Sequence, residues 1–397
     1  MNIRIFKRNS FKAEEYRKAA EVRLVHSGND YFETLENLIH SAKHSLHLQT
    51  YIFDEDETGR SIANSLKAAA SRGVKIHMML DGYGSKSLSR KFSKNLRLSG
   101  IRLRFFAPFF SSQNIYFGRR LHHKVIVADK NIALIGGINI ADKYHGSATE
   151  TAWLDYAILI KGSICQEVDN ICLHTYGRKL IWKQKKAKKI PKQILSDELI
   201  SVRIRENDRL RRKNQISGSY LQAIQNAKKS IYITGSYFLP GTKLRKALIR
   251  AAKHGVEVHL IMAGVSDVPV FQSATRWLYD LLFRNGIKIY EWEKSVLHGK
   301  VAVVDGNWAT IGSFNLNHLS AYGSIELNID VLDEQFSKSF QLHLKSVIET
   351  GCKQVFPIHQ NNHWTAKLKR WAAYQLTRST IKIVALFPYI NPFKKFS

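Results

Sequence analysis

The sequence is written twice, and that constrains its fold more than any other feature. Ala42-Lys43-His44-Ser45-Leu46-His47-Leu48 returns as Ala227-Lys228-Lys229-Ser230-Ile231-Tyr232-Ile233. Arg72-Gly73-Val74-Lys75-Ile76 returns as His254-Gly255-Val256-Glu257-Val258, and Gly100-Ile101-Arg102-Leu103 as Gly286-Ile287-Lys288-Ile289. A fourth echo pairs His122 with His298. The offsets are 185, 182, 186 and 176, so the two copies run in step. The final drop of ten places an insertion between Gly100 and His122, in the stretch FFAPFFSSQNIYFG.

Within each copy the hydrophobic period switches between 3.6 and 2. A helix-like stretch (31–42) precedes an apolar strand (45–53), then a second helix (61–72) and a second strand (74–80). Gly73 and Gly255 stand where a helix C-cap is expected before a strand. Strands interleaved with helices predict an α/β layered half, made twice. The expected divisions are an N-terminal extension (1–29), a first half (30–177), a basic linker (178–205), a second half (206–350) and a basic amphipathic tail (351–397). Residues 178–192 hold eight basic residues and no acid, and no acid follows Glu349.

Sixty-one Lys and Arg against 32 Asp and Glu give a formal charge of +29, which calls for an acidic partner, either nucleic acid or an anionic membrane surface. Cys165, Cys172 and Cys352 are odd in number and lack C-x-x-C spacing, which argues against a disulfide framework or zinc knuckle and for a reducing compartment. No uninterrupted apolar run reaches 18 residues and no signal-peptide pattern opens the chain, so the expectation is a protein that lies on a membrane without spanning it.

The segments LHHKVIVADKNIALIGGINI and LHGKVAVVDGNWATIGSFNL align without gaps. They share His122/His298, Lys124/Lys300, Asp129/Asp305, Gly136/Gly312 and Asn139/Asn315. His and Lys two apart on a strand point to one face, so each copy offers a His-Lys pair to a site. Such a site suits phosphodiester chemistry. One imidazole attacks phosphorus covalently, the second protonates the leaving oxygen, and Lys and Asn donors meet the growing charge on the nonbridging oxygens. No metal or other cofactor is called for. A lone H-x-K-x-x-x-x-D arises by chance; two copies, each followed at the same distance by G-[GS]-x-N, do not.

On these residues the chain resembles the phospholipase D superfamily. LQTYIFDEDETG, MLDGYGS and GSYFLPG make it similar to the bacterial cardiolipin synthases, most of all their short B-type branch. The resemblance covers roughly residues 30–350. It implies two α/β sandwich halves packed about a pseudo-twofold axis, with one shared active site in which His122 and His298 react. It implies that a carboxylate downstream in each half orients that half's histidine: Glu326 for His298, and Asp155, in preference to Glu150, for His122. Asp129 and Asp305, the acids of the motif, are grouped with the catalytic set but are expected to hold the site together rather than touch substrate, since each ends its strand at a turn. Asn139 and Asn315 are expected to bind the substrate phosphate. By the same resemblance His122 is the nucleophile and His298 the proton donor.

Charge alone leaves lipid and nucleic acid both open. The aromatic insertion (Phe105, Phe106, Phe109, Phe110, Tyr116, Phe117) and the tail pattern Trp364, Leu368, Trp371 opposite Lys367, Lys369 and Arg370 favour an anionic phospholipid substrate over nucleic acid. The expected activity is a phosphatidyltransferase of cardiolipin synthase type, peripheral on the cytoplasmic face of a bacterial membrane. The alternatives are a phospholipase D hydrolase and a nucleic-acid phosphodiesterase.

Overall fold

The computed structural model describes residues 16–108, 110–111, 114–115, 119–177, 199–208, 211, 213–317, 320–321, 323–357 and 364–386. Two sheets carry the duplication strand for strand. The first runs, edge to edge, Glu21–His26, Tyr156–Lys161, Ile132–Gly136, Lys124–Ala128, Ser45–Thr50, Lys75–Asp81, Arg102–Phe106. The second repeats that order with Ile200–Asp208, Ser324–Leu332, Trp308–Gly312, Val301–Val304, Ser230–Gly235, Glu257–Val265, Lys288–Val296. In each sheet the last three strands are parallel and the rest antiparallel.

The strands are buried on both faces, which explains their nearly continuous apolar sequence. Ile126 and Ala128 pack under the first half's helices Asn29–Ser41 and Glu57–Ser71, while Val125 and Val127 face the other way into a core shared by the two halves. Val301 and Val303 enter that same shared core, and Ala302 and Val304 turn to the second half's own helices. The halves are thus joined sheet to sheet by an apolar layer, and neither buries that face alone. Gly73 and Gly255 end their helices with φ of 90° and 84°, the left-handed cap that glycine takes without strain.

Three expected boundaries move. Residues 1–29 are not merely an extension, since Glu21–His26 closes one edge of the first sheet and Arg17–Ala19 pairs with Ile200–Asp208 in the second. The strand Ile200–Asp208 runs across the division drawn at 206, and Cys352–Val355, placed in the tail, pairs with Lys288–Val296. Glu21–His26, Arg17–Ala19 and Cys352–Val355 are edge strands and Ile200–Asp208 is broken by charged residues, so their alternation is too weak to read along the chain. Most of the basic linker (178–198) lies outside the described residues.

The aromatic insertion is also revised. Phe105 and Phe106 belong to the strand Arg102–Phe106; Phe106 is buried and Phe105 packs against the first half's core, so neither lines a mouth. Phe110–Ser111 and Asn114–Ile115 form a two-strand ribbon beyond that strand. Phe109, Tyr116 and Phe117 lie outside the described residues, as does the side chain of Phe110.

Candidate active site

Each motif histidine sits just ahead of a central strand and is pinned by the opposite half. Arg120–Leu121 pairs in parallel with Ser324–Ile325, and the backbone N–H groups of His122 and His123 both donate to the Ile325 carbonyl at 3.0 Å. The second half does the same in reverse. Leu297 bridges Leu154, and the N–H groups of His298 and Gly299 donate to the Leu154 carbonyl at 2.8 and 2.9 Å. The residue after Ile325 is Glu326, and the residue after Leu154 is Asp155. Each carboxylate is thereby delivered to the other half's histidine.

The side chains follow. His122 Nδ1 meets Glu326 Oε2 at 2.9 Å, and His298 Nδ1 meets Asp155 Oδ2 at 2.6 Å. Both carboxylates are fully buried. The pairing expected within each half is therefore exchanged between the halves, for a backbone reason that sequence separation does not carry. Glu150, the alternative partner for His122, is exposed on a turn and takes no part. With Nδ1 engaged by a carboxylate, each ring leaves Nε2 as its reactive nitrogen.

Lys124 Nζ donates to the His122 carbonyl at 2.5 Å, and Lys300 Nζ lies 2.9 Å from His298 Nδ1 and 3.8 Å from Asp155. Burial lowers the proton affinity of both imidazoles, reinforced by the lysines of both halves, so the free site favours neutral rings. Burial likewise pulls Lys124 down to about 7 and pushes Asp155 up to about 6. The negative charge of a bound phosphodiester would raise the proton affinity of Lys124 and of the imidazoles again and would hold Asp155 up further.

The two motif aspartates do not belong to the catalytic set. Asp129 and Asp305 stand at the far ends of the strands, roughly 20 Å of extended chain from the histidines. Asp129 accepts the backbone N–H groups of Lys43, His44 and Ser45, each at 2.8 Å; Asp305 accepts those of Lys228, Lys229 and Ser230 at 2.8, 2.7 and 2.9 Å. Both occupy left-handed turn positions, with φ of 51° and 56°. They fasten a hairpin turn to the start of the neighbouring strand.

The asparagines prove unequal. Asn139 donates from Nδ2 to the Tyr144 hydroxyl at 2.7 Å and accepts from the Ile52 N–H at 3.0 Å. Asn315 Oδ1 accepts from Ser236 at 3.4 Å, and among the described residues its Nδ2 has no hydrogen-bond partner, which leaves it the better placed of the two to meet a ligand. Sequence reasoning missed a matched pair of tyrosines beside the histidines, with Tyr144 and Trp153 also 5.3 and 5.9 Å from the His298 ring. The Tyr51 ring is 5.1 Å from His122 and the Tyr237 ring 6.5 Å from His298. They are equivalent in the repeat at an offset of 186, a signal the duplication already contained. Among the described residues no group of three or more His, Cys, Asp or Glu side chains is arranged to hold a metal ion.

A duplicated α/β protein that builds one two-histidine, two-lysine site from both of its halves is of the phospholipase D class. The family model for the cardiolipin synthase, phospholipase D-like domain matches residues 35–172 and again 220–348. The chain belongs to that family. It is 32% identical over 387 residues to cardiolipin synthase B of Escherichia coli strain K12, covering 95% of this chain and 92% of that one. To cardiolipin synthase B of Salmonella typhimurium strain LT2 it is 33% identical over the same shares. The crystal structure of phosphatidylserine synthase from Haemophilus influenzae superposes with a TM-score of 0.74, covering 95% of this chain and 98% of that one; at 14% identity this is a likeness of fold.

Proposed function

We propose that this protein is a phosphatidyltransferase that moves a phosphatidyl group from a phosphatidylglycerol-like donor to the hydroxyl of a second lipid, making a cardiolipin-type product. The observation that carries the reading is the exchange of carboxylates, which makes one site out of two histidines belonging to different halves. Relatives named cardiolipin synthase that cover nearly the whole chain support the same activity.

In the proposed reaction, neutral His122 attacks phosphorus through Nε2. The P–O bond to glycerol breaks, its electron pair stays on that oxygen, and His298, which takes a proton on Nε2 when the negative phosphodiester binds beside it, supplies that proton. The phosphohistidine then meets the acceptor. Its hydroxyl proton passes to His298, its oxygen attacks phosphorus, and the P–N bond breaks to restore His122. Lys124, Lys300 and Asn315 donate to the nonbridging oxygens throughout. The purified full-length chain given phosphatidylglycerol vesicles should release glycerol and form cardiolipin, measured by lipid mass spectrometry. Phosphatidic acid as the sole product would make the protein a hydrolase, and nucleotide release from DNA without lipid turnover would make it a nuclease.

The tail supports a peripheral position on a bacterial membrane, at its cytoplasmic face. Helix Trp364–Leu386 packs on helix Pro269–Trp277, and its Ala373 and Tyr374 lie against the second half's core. Trp364, Leu368 and Trp371 share the outer face, 72%, 51% and 44% exposed. The apolar segment beyond residue 386 lies outside the described residues. Among the described residues no helix is long and apolar enough to cross a membrane. Changing those three residues to Ser should leave the fold intact, because the opposite face makes the contact. Partial burial in lipid is worth about 1 kcal/mol for each such side chain, so binding to anionic vesicles in a sedimentation assay should weaken roughly a hundredfold. Unchanged binding would remove the tail from the docking surface.

A further inference from the structure

The two halves differ at one position beside the carboxylates, and the difference bears on the histidine that Glu326 holds. In the second half the motif reads Gly312-Ser313. The Ser313 hydroxyl is buried, accepts the Leu327 N–H at 3.2 Å, and donates to Glu326 Oε2 at 2.5 Å, the same oxygen that holds His122. In the first half the equivalent residue is Gly137. A Cβ there would stand 2.4 Å from Asp155 Oδ1, so no side chain can occupy the position. Asp155 receives the Tyr156 N–H at 2.8 Å and holds His298 at 2.6 Å without any hydroxyl beside it.

A hydroxyl donating to a carboxylate stabilises its charge and reduces its affinity for a further proton. The Glu326 oxygen that holds His122 is thus shared with a hydroxyl, and Lys124 and Lys300 are the cations that act on the same ring. Asp155 has no hydroxyl beside it but has the Lys300 ammonium 3.8 Å away. We propose that Ser313 is the positioning residue for the attacking histidine: by sharing the Glu326 oxygen that holds His122, its hydroxyl weakens the carboxylate's pull on a second ring proton and keeps His122 neutral. The role rests on the phosphohistidine reading above, in which His122 attacks.

A phosphatidyl nitrophenyl ester in mixed micelles isolates the attacking step, because nitrophenolate departs without a proton donor. The test uses full-length protein carrying His298→Ala, with the burst of nitrophenol quenched into alkali at pH values from 5 to 8. The burst needs neutral His122, so its acid limb follows the His122 pKa. Removing the hydroxyl with Ser313→Ala leaves Glu326 Oε2 to His122 alone, favours the imidazolium and moves the limb to higher pH by about one unit. On the acid limb the burst rate falls by up to about tenfold while the high-pH plateau is kept. Ser313→Thr retains a hydroxyl and keeps the limb in place. Ser313→Cys, nearly isosteric with a weaker donor, moves it in the Ala direction and serves if the Ala variant fails to fold. An unmoved limb with a uniformly lower plateau, or a Thr variant that shifts as Ala does, overturns the role of Ser313 and leaves the phosphohistidine reading standing. No burst from the His298→Ala parent at any pH, or a burst from His122→Ala in its place, overturns that reading before Ser313 is compared.

Discussion

Changing either His122 or His298 to Ala in the full-length protein should lower lipid transfer by at least about a thousandfold, and changing both should cost little more than changing one. The expectation follows from the exchanged carboxylates: each imidazole is oriented by the half that carries the other, so the two function as one unit and their losses do not add. Two independent sites would behave otherwise, with about half the activity surviving each single change and none surviving both. Tyr51 lies beside His122 and Tyr144 and Trp153 lie beside His298, so an Ala in place of either leaves the surrounding aromatic packing to hold the fold. Thermal unfolding within a few degrees of the wild type in all three variants would tie the loss to chemistry. A double variant whose residual activity falls to the product of the two singles would mean that the histidines contribute independently.

What could be read from the chain and what could not divides along a physical line. The duplication, the helix caps at Gly73 and Gly255 and the His-Lys pairs are local patterns, and local patterns survive in sequence. The exchange of Glu326 and Asp155 is not local. Separations of 28 and 33 residues place an acid somewhere downstream of a histidine but carry no record that the intervening strand crosses to the other half at Leu154 and Ile325. Asp129 and Asp305 fall in the motif for a related reason, and the turn at each strand end already pointed to their holding role. Their spacing from the histidines is fixed because both belong to one strand and its hairpin turn, and that constant spacing looks catalytic when it is architectural. Phe105 and Phe106 were read with the insertion because the alignment of the halves drifts there, whereas the second half's strand Lys288–Val296 shows that the ladder continues through them. Ser313 was visible as the alternative in G-[GS]-x-N, but its meaning depends on Gly137 being too close to Asp155 for any side chain, which only the folded pair reveals.

The exchange itself makes the second large expectation, and it can be separated from every account in which each half supplies its own acid. Glu326→Gln keeps shape and removes the charge that holds His122, the attacking ring; Asp155→Asn does the same to His298, the proton donor. With a phosphatidylglycerol donor both variants should lose activity heavily, by about 10³–10⁴-fold if the loss of an orienting carboxylate acts as it does in other histidine catalysts. With a phosphatidyl nitrophenyl ester the two should part. Asp155→Asn disables only the proton donor, which this leaving group does not need, so it should recover a burst of nitrophenol. Glu326→Gln disables the nucleophile and should stay silent, even though Glu326 lies in the same half as the proton donor. Pairing within each half exchanges the two outcomes: Asp155→Asn would be silent and Glu326→Gln would burst. Because Glu326 also takes the Ser313 hydroxyl, its amide replacement can turn that hydrogen bond around. Glu326→Asp, which keeps the charge on a shorter arm, is the control: partial recovery of its burst ties the silence of the Gln variant to lost charge at His122, and a burst as silent as that of Gln points instead to lost reach across the interface between the halves.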